Sequence, residues 1–71
     1  MHSIVLAVAS DTAPFCEFLR AVHVQVCDVD GTTVRASIPG AQSDLHERRE
    51  LSGYVVTWNA LNPARRAEIV S

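Results

Sequence analysis

The chain has 71 residues, of which 48% are hydrophobic and 6% aromatic, and its formal net charge is −2. A chain of this length forms one small domain, residues 1–71, and the hydrophobic share excludes a disordered protein. The six basic residues are all arginines, and eight acidic residues outnumber them, so the basic excess typical of nucleic-acid-binding proteins is absent.

The first predicted elements are a strand and a short helix. Residues 3–9 form a short run that is continuously apolar after Ser3, which favours a buried strand. Asp11 or Thr12 can cap the helix that follows, residues 12–21, and Pro14 fits its first turn. Helical spacing places four apolar residues on one face of this segment: Phe15, Phe18, Leu19 and Val22.

The apolar run at the start of the chain is too short for a targeting or membrane segment. Residues 4–9 are six apolar residues, whereas a secretory signal needs roughly 7–15 and a membrane span about 20. The sequence therefore predicts a soluble cytoplasmic protein. The arginine bias and the many alanines and valines are typical of a GC-rich coding genome, which suggests a bacterial or phage source.

Two strands, residues 22–28 and 32–38, are predicted on either side of the sequence DVDGT. Asp28 and Asp30 in this sequence resemble the first motif of the haloacid dehalogenase superfamily. The resemblance implies that Asp28 is a nucleophile and Asp30 an acid/base group for a phosphorylated substrate. That mechanism also needs a further acidic pair and crossover connections of about 30 residues each, for which the rest of the chain has no room. We therefore predict that DVDGT is a turn and not an active site.

The alternation of apolar residues indicates the type of turn. With a three-residue loop over residues 29–31, Val26 pairs with Val34, and the apolar residues of both strands share one face. A two-residue Asp-Gly turn would put them on opposite faces. The sequence therefore predicts a bulged hairpin in which Gly31 has a positive φ and Asp28 accepts hydrogen bonds from the loop.

The second half of the chain begins with another helix. Ser43 or Asp44 can cap this helix, and Gly53 suits the left-handed residue just past its end. We predict a strand over residues 54–58, because Tyr-Val-Val-Thr-Trp is a run of residues that favour β structure. The alternative is a single helix over residues 44–61.

The end of the chain is predicted as a short helix, because Asn62 can cap it and Pro63 suits its first turn. A strand over residues 67–70 is the alternative. The element order is then β-α-β-β-α-β with a short helical C-terminus. This order predicts a two-layer α+β domain, with an antiparallel sheet and helices on one face. It is loosely similar to the ferredoxin-like arrangement.

The sequence contains no recognisable metal, cofactor or catalytic motif. Its histidines and cysteines lie too far apart for the paired ligands of a zinc site, and surface histidines are expected. A nucleophile elbow is absent. Cys16 and Cys27 are expected to be free thiols. We therefore expect a protein that is not an enzyme and has no cofactor and no metal.

Two arginine pairs, Glu50 beside the first pair and two aromatic residues are the candidate contact residues, since Trp, Tyr and Arg dominate binding energies at protein interfaces. The alternatives are solvated arginines paired with nearby glutamates, and aromatic residues packed in the core. The residues predicted to bind a partner are Arg48, Arg49, Glu50, Tyr54, Trp58, Arg65 and Arg66.

These observations favour a small binding module that acts through protein–protein interaction as an accessory, regulatory or inhibitory factor. A core this small profits from a partner, so a homodimer is also considered. One alternative is a small-molecule-sensing regulatory domain. The other is a nucleic-acid-binding accessory protein, which the glutamates interleaved with the arginines disfavour.

Overall fold

The computed structural model describes residues 1–70 as a four-stranded sheet and a layer of two helices. The elements, in chain order, are β1 (His2–Leu6), α1 (Thr12–Ala21), β2 (Gln25–Asp30), β3 (Thr33–Ser37), α2 (Asp44–Leu61) and β4 (Ala67–Ile69), with a 3-10 turn over Ala9–Asp11 before α1. The sheet order is β2-β3-β1-β4, and every neighbouring pair is antiparallel. The predicted α+β class and β-α-β-β-α-β order are therefore confirmed. Neither helix in this part of the chain combines the length and the hydropathy that crossing a bilayer requires.

The core lies between the sheet and the two helices. On β1, Ile4 and Leu6 point into it, whereas Val5 lies half-buried on the opposite face, as strand alternation requires. The rings of Phe15 and Trp58 meet edge to face, with centroids 5.2 Å apart, and join α1 to α2. The buried hydrophobic residues are Ile4, Leu6, Phe15, Cys16, Leu19, Val24, Val34, Ala36, Leu51, Val55, Trp58 and Ala67.

Residues 54–58 belong to α2, so the prediction of a strand there is wrong and the alternative of one helix over residues 44–61 is correct. Leu51, Val55 and Trp58 follow helical spacing, and each is at most 6% exposed. Burial of this apolar stripe against the sheet and α1 outweighs the β propensity of the Tyr-Val-Val-Thr run, which is the usual relation between tertiary packing and propensity.

The fourth strand comes from the residues after α2. Asn62 is the C-terminal cap of α2, where its N–H donates to the Trp58 carbonyl oxygen at 2.8 Å, and it does not start a new helix. β4 instead pairs with β1, with Leu6 opposite Ala67. The predicted short helix at the C-terminus is therefore wrong, and the alternative strand over residues 67–70 matches β4.

The β2–β3 hairpin has a different register from the predicted one. Val26 pairs with Ala36 and Val29 with Val34, so the loop contains two residues and not three. A bulge at Cys27 shifts the alternation of β2 by one residue, and the valines on both sides of it therefore face the helices. The common apolar face was predicted correctly, but a bulge within the strand produces it and not a longer loop.

The hairpin turn is made by Gly31 and Thr32. Gly31 has the predicted positive φ, 60°, while Thr32 has none, which is the pattern of a type II′ turn. Within residues 1–70, Asp28 accepts no hydrogen bond from the loop, so that prediction is wrong. The hydroxyl of Thr12 donates to the Gly31 carbonyl oxygen at 3.0 Å and fastens the turn to the start of α1.

The end of α1 contains the one non-glycine residue with a positive φ within residues 1–70, His23 at 64°. The His23 N–H donates to the Arg20 carbonyl oxygen at 3.1 Å, and the Val24 N–H donates to the Leu19 carbonyl oxygen at 2.9 Å. These two bonds define a Schellman motif. The strand predicted from residue 22 therefore begins only at Gln25, after the helix cap.

Candidate functional site

The residues predicted to contact a partner are divided between the two ends of α2. Arg49 and Glu50 are exposed in its first half, and Arg48 beside them is half-buried. Arg65 and Arg66 are exposed beyond its end. A helix rises about 1.5 Å per residue, so about 18 Å of helix separates Arg49 from the end of α2. The two arginine pairs therefore do not form one surface.

The arginines of α2 do not form the ion pairs that the neighbouring glutamates offered. Glu47 lies 2.7 Å from the N-terminal amino group, and Glu50 pairs with His46 at 3.3 Å. Within residues 1–70, no carboxylate oxygen lies within 4.0 Å of a side-chain nitrogen of Arg48 or Arg49. The exposed Arg49 is therefore available to acidic groups outside the chain, and the half-buried Arg48 has no ion-pair partner in this part of the chain.

Apolar side chains accompany these arginines on the solvent side of α2. Leu45 is 67% exposed and Val56 is 68% exposed. Arg49 lies four residues after Leu45 and seven before Val56, so all three share one face of the helix, and Arg48 stands one turn from Leu45. We call Leu45, Arg48, Arg49 and Val56 the α2 outer face. Leu45 and Val56 lie about 16 Å apart along the helix axis, with Arg49 between them on the same face.

The two aromatic residues of the predicted contact set are part of the interior. Trp58 is 4% exposed and packs against Phe15 and Phe18. Its indole N–H donates to the Arg65 carbonyl oxygen. Tyr54 is half-buried and packs against the same core. Their rings therefore stabilise the fold and do not contribute to the α2 outer face.

The second arginine pair belongs to the connection between α2 and β4. The Nε atom of Arg65 lies 3.5 Å from Oδ1 of Asp11, whose side chain is 10% exposed. Arg65 thus ties this connection to the start of α1 through an ion pair. Arg66 lines an open groove beside Val5 and Glu68.

A cluster of ionisable side chains lies where β1 meets the start of α2. His2 is the first residue of β1 and is 3% exposed, so the expectation of a surface histidine is wrong at this position. Ser43 caps α2 by accepting a hydrogen bond from the backbone N–H three residues later, at 3.1 Å. That cap places Asp44 and Glu47 in the first turn of α2, facing His2.

The three side chains bring their ligand atoms close together. His2 Nε2 lies 3.2 Å from Asp44 Oδ1 and 3.5 Å from Glu47 Oε1. All three atoms lie within 4.8 Å of one another. His2 Nε2 also lies 3.2 Å from the main-chain oxygen of Asp44. The side chain of Asp44 is 78% exposed and that of Glu47 is 10% exposed, so the cluster opens to solvent on the Asp44 side.

The main chain fixes one carboxylate oxygen of Glu47, and the other oxygen faces the cluster. Oε2 accepts a hydrogen bond from the Ile38 backbone N–H at 2.9 Å. Oε1 is buried without a hydrogen bond of good geometry, and its close contacts are ionic: the N-terminal amino group and His2. The amino group, followed by the Ile38 N–H, lowers the pKa of the Glu47 carboxyl below its usual value. Glu47 is therefore a carboxylate at neutral pH.

Sequence reasoning missed this cluster because its members are distant along the chain. His2 and Asp44 are separated by 42 positions, and only the sheet-to-helix packing brings them together. The one local signal is the pair Asp44 and Glu47 at i and i+3, which indicated a helix cap. The expectation that the chain has no metal site rested on local spacing alone.

An open apolar groove lies between α1 and the hairpin turn, lined by Thr12, Cys16, Arg20 and Val29 among others. The alternative of a small-molecule-sensing regulatory domain stays a prediction. Cys16 is 4% exposed, and burial raises the pKa of its thiol.

Comparison with known proteins gives no further guide to function. No family model matches the chain, and no curated protein or solved structure is significantly similar to it. A function for the chain must therefore be inferred from the chemistry of the α2 outer face and of the histidine–carboxylate cluster.

Proposed function

We propose that the chain is a small binding module that acts by docking its α2 outer face on another protein. The observation that carries the proposal is the combination on this face of two large exposed aliphatic side chains with two arginines that form no ion pair within residues 1–70. Leu45 and Val56 supply the apolar area, and Arg48 and Arg49 supply charge. Arginine is enriched at interface hot spots, where its planar group makes bidentate contacts.

The chemistry of this face defines its partner. An apolar groove that accepts Leu45 and Val56 must also carry carboxylates opposite Arg49, since burying an unpaired guanidinium is costly. The partner is therefore a protein with an apolar surface and acidic residues. In this proposal the chain is an accessory, regulatory or inhibitory factor and not an enzyme. We place it in the cytoplasm of a bacterial or phage-infected cell, where Cys16 and Cys27 would stay reduced.

The experiment is affinity capture from the source cell with two variants of the α2 outer face and a matched charge-reversal control. Arg49→Glu changes the α2 outer face, and Val56→Asp removes its apolar part. Arg35→Glu is the control, since Arg35 is exposed on β3 and points away from the helices. We expect one stoichiometric partner with the parent chain and with Arg35→Glu, and its loss with both α2 variants. Circular dichroism checks that all variants are folded.

Two outcomes contradict this proposal. If a partner binds Arg49→Glu and Val56→Asp as tightly as it binds the parent chain, the contact surface lies elsewhere. If the parent chain binds no other protein and sediments as a dimer that Arg49→Glu dissociates, the face joins two copies of this chain. A homodimer on this face would then replace the different protein proposed here.

A further inference from the structure

We propose that His2, Asp44 and Glu47 form a zinc-binding site. The three side chains offer one imidazole nitrogen and two carboxylate oxygens, a ligand set that zinc accepts with water in the fourth position. This site shares no residue with the α2 outer face and does not depend on the proposed function.

The distances within the cluster match the spacing of ligands in a tetrahedral site. With zinc–nitrogen and zinc–oxygen bonds of about 2.0–2.1 Å, tetrahedral geometry places neighbouring ligand atoms about 3.3 Å apart. Nε2 of His2 lies 3.2 Å from Oδ1 of Asp44 and 3.5 Å from Oε1 of Glu47. The third pair of ligand atoms, on Asp44 and Glu47, lies within 4.8 Å, and rotation of the exposed Asp44 side chain would shorten this distance.

Burial of Glu47 provides a second, independent indication. Its Oε1 atom is buried without a hydrogen bond of good geometry and faces the centre of the cluster. Its Oε2 atom is held by the Ile38 N–H at 2.9 Å, which orients the carboxylate as outer-shell hydrogen bonds orient metal ligands. A buried carboxylate needs a positive charge beside it. The structure thus provides a fixed oxygen ligand that faces the cluster and already attracts one cation, the N-terminal ammonium group.

The N-terminal amino group now supplies that charge, 2.7 Å from Glu47 Oε1 and 3.9 Å from Asp44 Oδ1. It is carried by Met1, which is 55% exposed, so the group can move into solvent when a divalent ion replaces it. Zinc also requires the His2 tautomer with its proton on Nδ1, because Nε2 must offer its lone pair. Nε2 would then exchange its contact with the Asp44 main-chain oxygen for the metal.

Bound zinc would join the start of β1 to the first turn of α2, which lie far apart along the chain. A ligand that binds only the folded state stabilises it, and at a concentration of 100 times the Kd the unfolding constant falls about 100-fold. A domain of this size buries only a small core, so a metal that cross-links the sheet to α2 would add to its stability.

The test is isothermal titration of the full chain with ZnCl2, together with thermal unfolding and the absorption spectrum of bound Co2+. We expect a single site, a rise in Tm with zinc concentration and a tetrahedral Co2+ spectrum. Asp44→Asn and Glu47→Gln are expected to weaken zinc binding at least about tenfold. Asp44→Asn is the decisive variant, since its side chain is 78% exposed and we expect the variant to fold like the parent chain.

Glu50→Gln is the matched control, because Glu50 lies on the same helix and pairs with His46 outside the cluster. It should bind zinc like the parent chain, and Mg2+ and Ca2+, which prefer oxygen ligands, should not compete. The proposal is overturned if zinc does not saturate one site, if Asp44→Asn binds as tightly as the parent, or if Glu50→Gln loses binding equally. Acetylation of the amino group should strengthen binding by removing the competing charge. Loss of binding on acetylation would make that nitrogen the ligand and overturn the assignment.

Discussion

The side-chain amide of Asn59 forms two hydrogen bonds with the main chain of Ala67. Its Oδ1 atom accepts from the Ala67 N–H at 2.7 Å, and its Nδ2 group donates to the Ala67 carbonyl oxygen at 3.0 Å. A residue in α2 thus satisfies the main-chain groups of the edge strand β4 that would otherwise be unpaired at this position. Covering an edge strand in this way protects it from pairing with another chain.

We predict that Asn59→Ala destabilises the protein by about 1–3 kcal/mol, because the main chain of the buried Ala67 loses both hydrogen bonds to this side chain. Urea unfolding followed by circular dichroism measures the change. Thr57→Ala is the control: its hydroxyl is exposed and donates only to the Gly53 carbonyl oxygen in the same helix, so about 0.5 kcal/mol or less is expected. Equal midpoints for Asn59→Ala and the parent chain would show that these bonds do not hold β4.

The long-range contacts of α2 explain why the second half of the fold was predicted wrongly. The apolar positions Leu51, Val55 and Trp58 fit a helix, but the β-favouring residues between them fit a strand equally well on local grounds. Burial against α1 and the hydrogen bonds from Asn59 to β4 decide the outcome, and both are long-range interactions. Local propensity cannot include them.

The hairpin illustrates a different limit of sequence reasoning. The requirement that Val26 and Val34 face the same side was correct, and the glycine with positive φ was predicted at the right position, Gly31. The register was wrong because the alternation was assumed to run unbroken to the loop. Instead, a bulge at Cys27 turns the valines on both sides of it to the same face of the sheet. No residue type requires a bulge at that position.

The two candidate sites also differ in how much of each the local sequence could predict. The exposure of Arg49 could be predicted from the charge pattern alone, since solvent exposure of a charged helix face is a local property. The His2 cluster was missed, because it depends on β1 meeting α2 across the fold.

Gly53 offers a direct test of α2. It is exposed in the middle of this helix, and a Cβ atom at its position would have no neighbour within 4 Å. We predict that Gly53→Ala stabilises the protein by about 1 kcal/mol, the difference in helix propensity between the two residues. If residues 54–58 were a strand and Gly53 a left-handed helix end, the same change would destabilise. Gly31→Ala is the contrast, since a φ of 60° is unfavourable for alanine, and it should lower the free energy of unfolding.

The two cysteines should differ in reactivity. Cys27 is exposed in β2, with its Sγ atom 3.4 Å from the Ser37 hydroxyl, whereas Cys16 is buried. Burial raises the pKa of the Cys16 thiol, and the nearby Arg20 opposes this only in part, so little thiolate is present at neutral pH. We predict that an alkylating reagent modifies one thiol of the folded protein quickly and the second only on unfolding. Mass spectrometry of the protein and of Cys27→Ser measures this, and rapid modification of Cys27→Ser would contradict it.

The end of α1 is a position where a substitution should stabilise the fold. His23 occupies the position of the Schellman motif where glycine is preferred, with a φ of 64°. The left-handed conformation costs a residue with a side chain about 1–2 kcal/mol, and glycine avoids this cost. Glycine loses more backbone entropy on folding, which cancels about 0.5–1 kcal/mol of the gain. We therefore predict that His23→Gly stabilises the protein by about 0.5–1 kcal/mol in urea unfolding. His23→Val should destabilise, because β-branched residues tolerate this conformation least, and His23→Ala should change little. A His23→Gly variant less stable than the parent would mean that the imidazole makes a contact that outweighs the backbone strain.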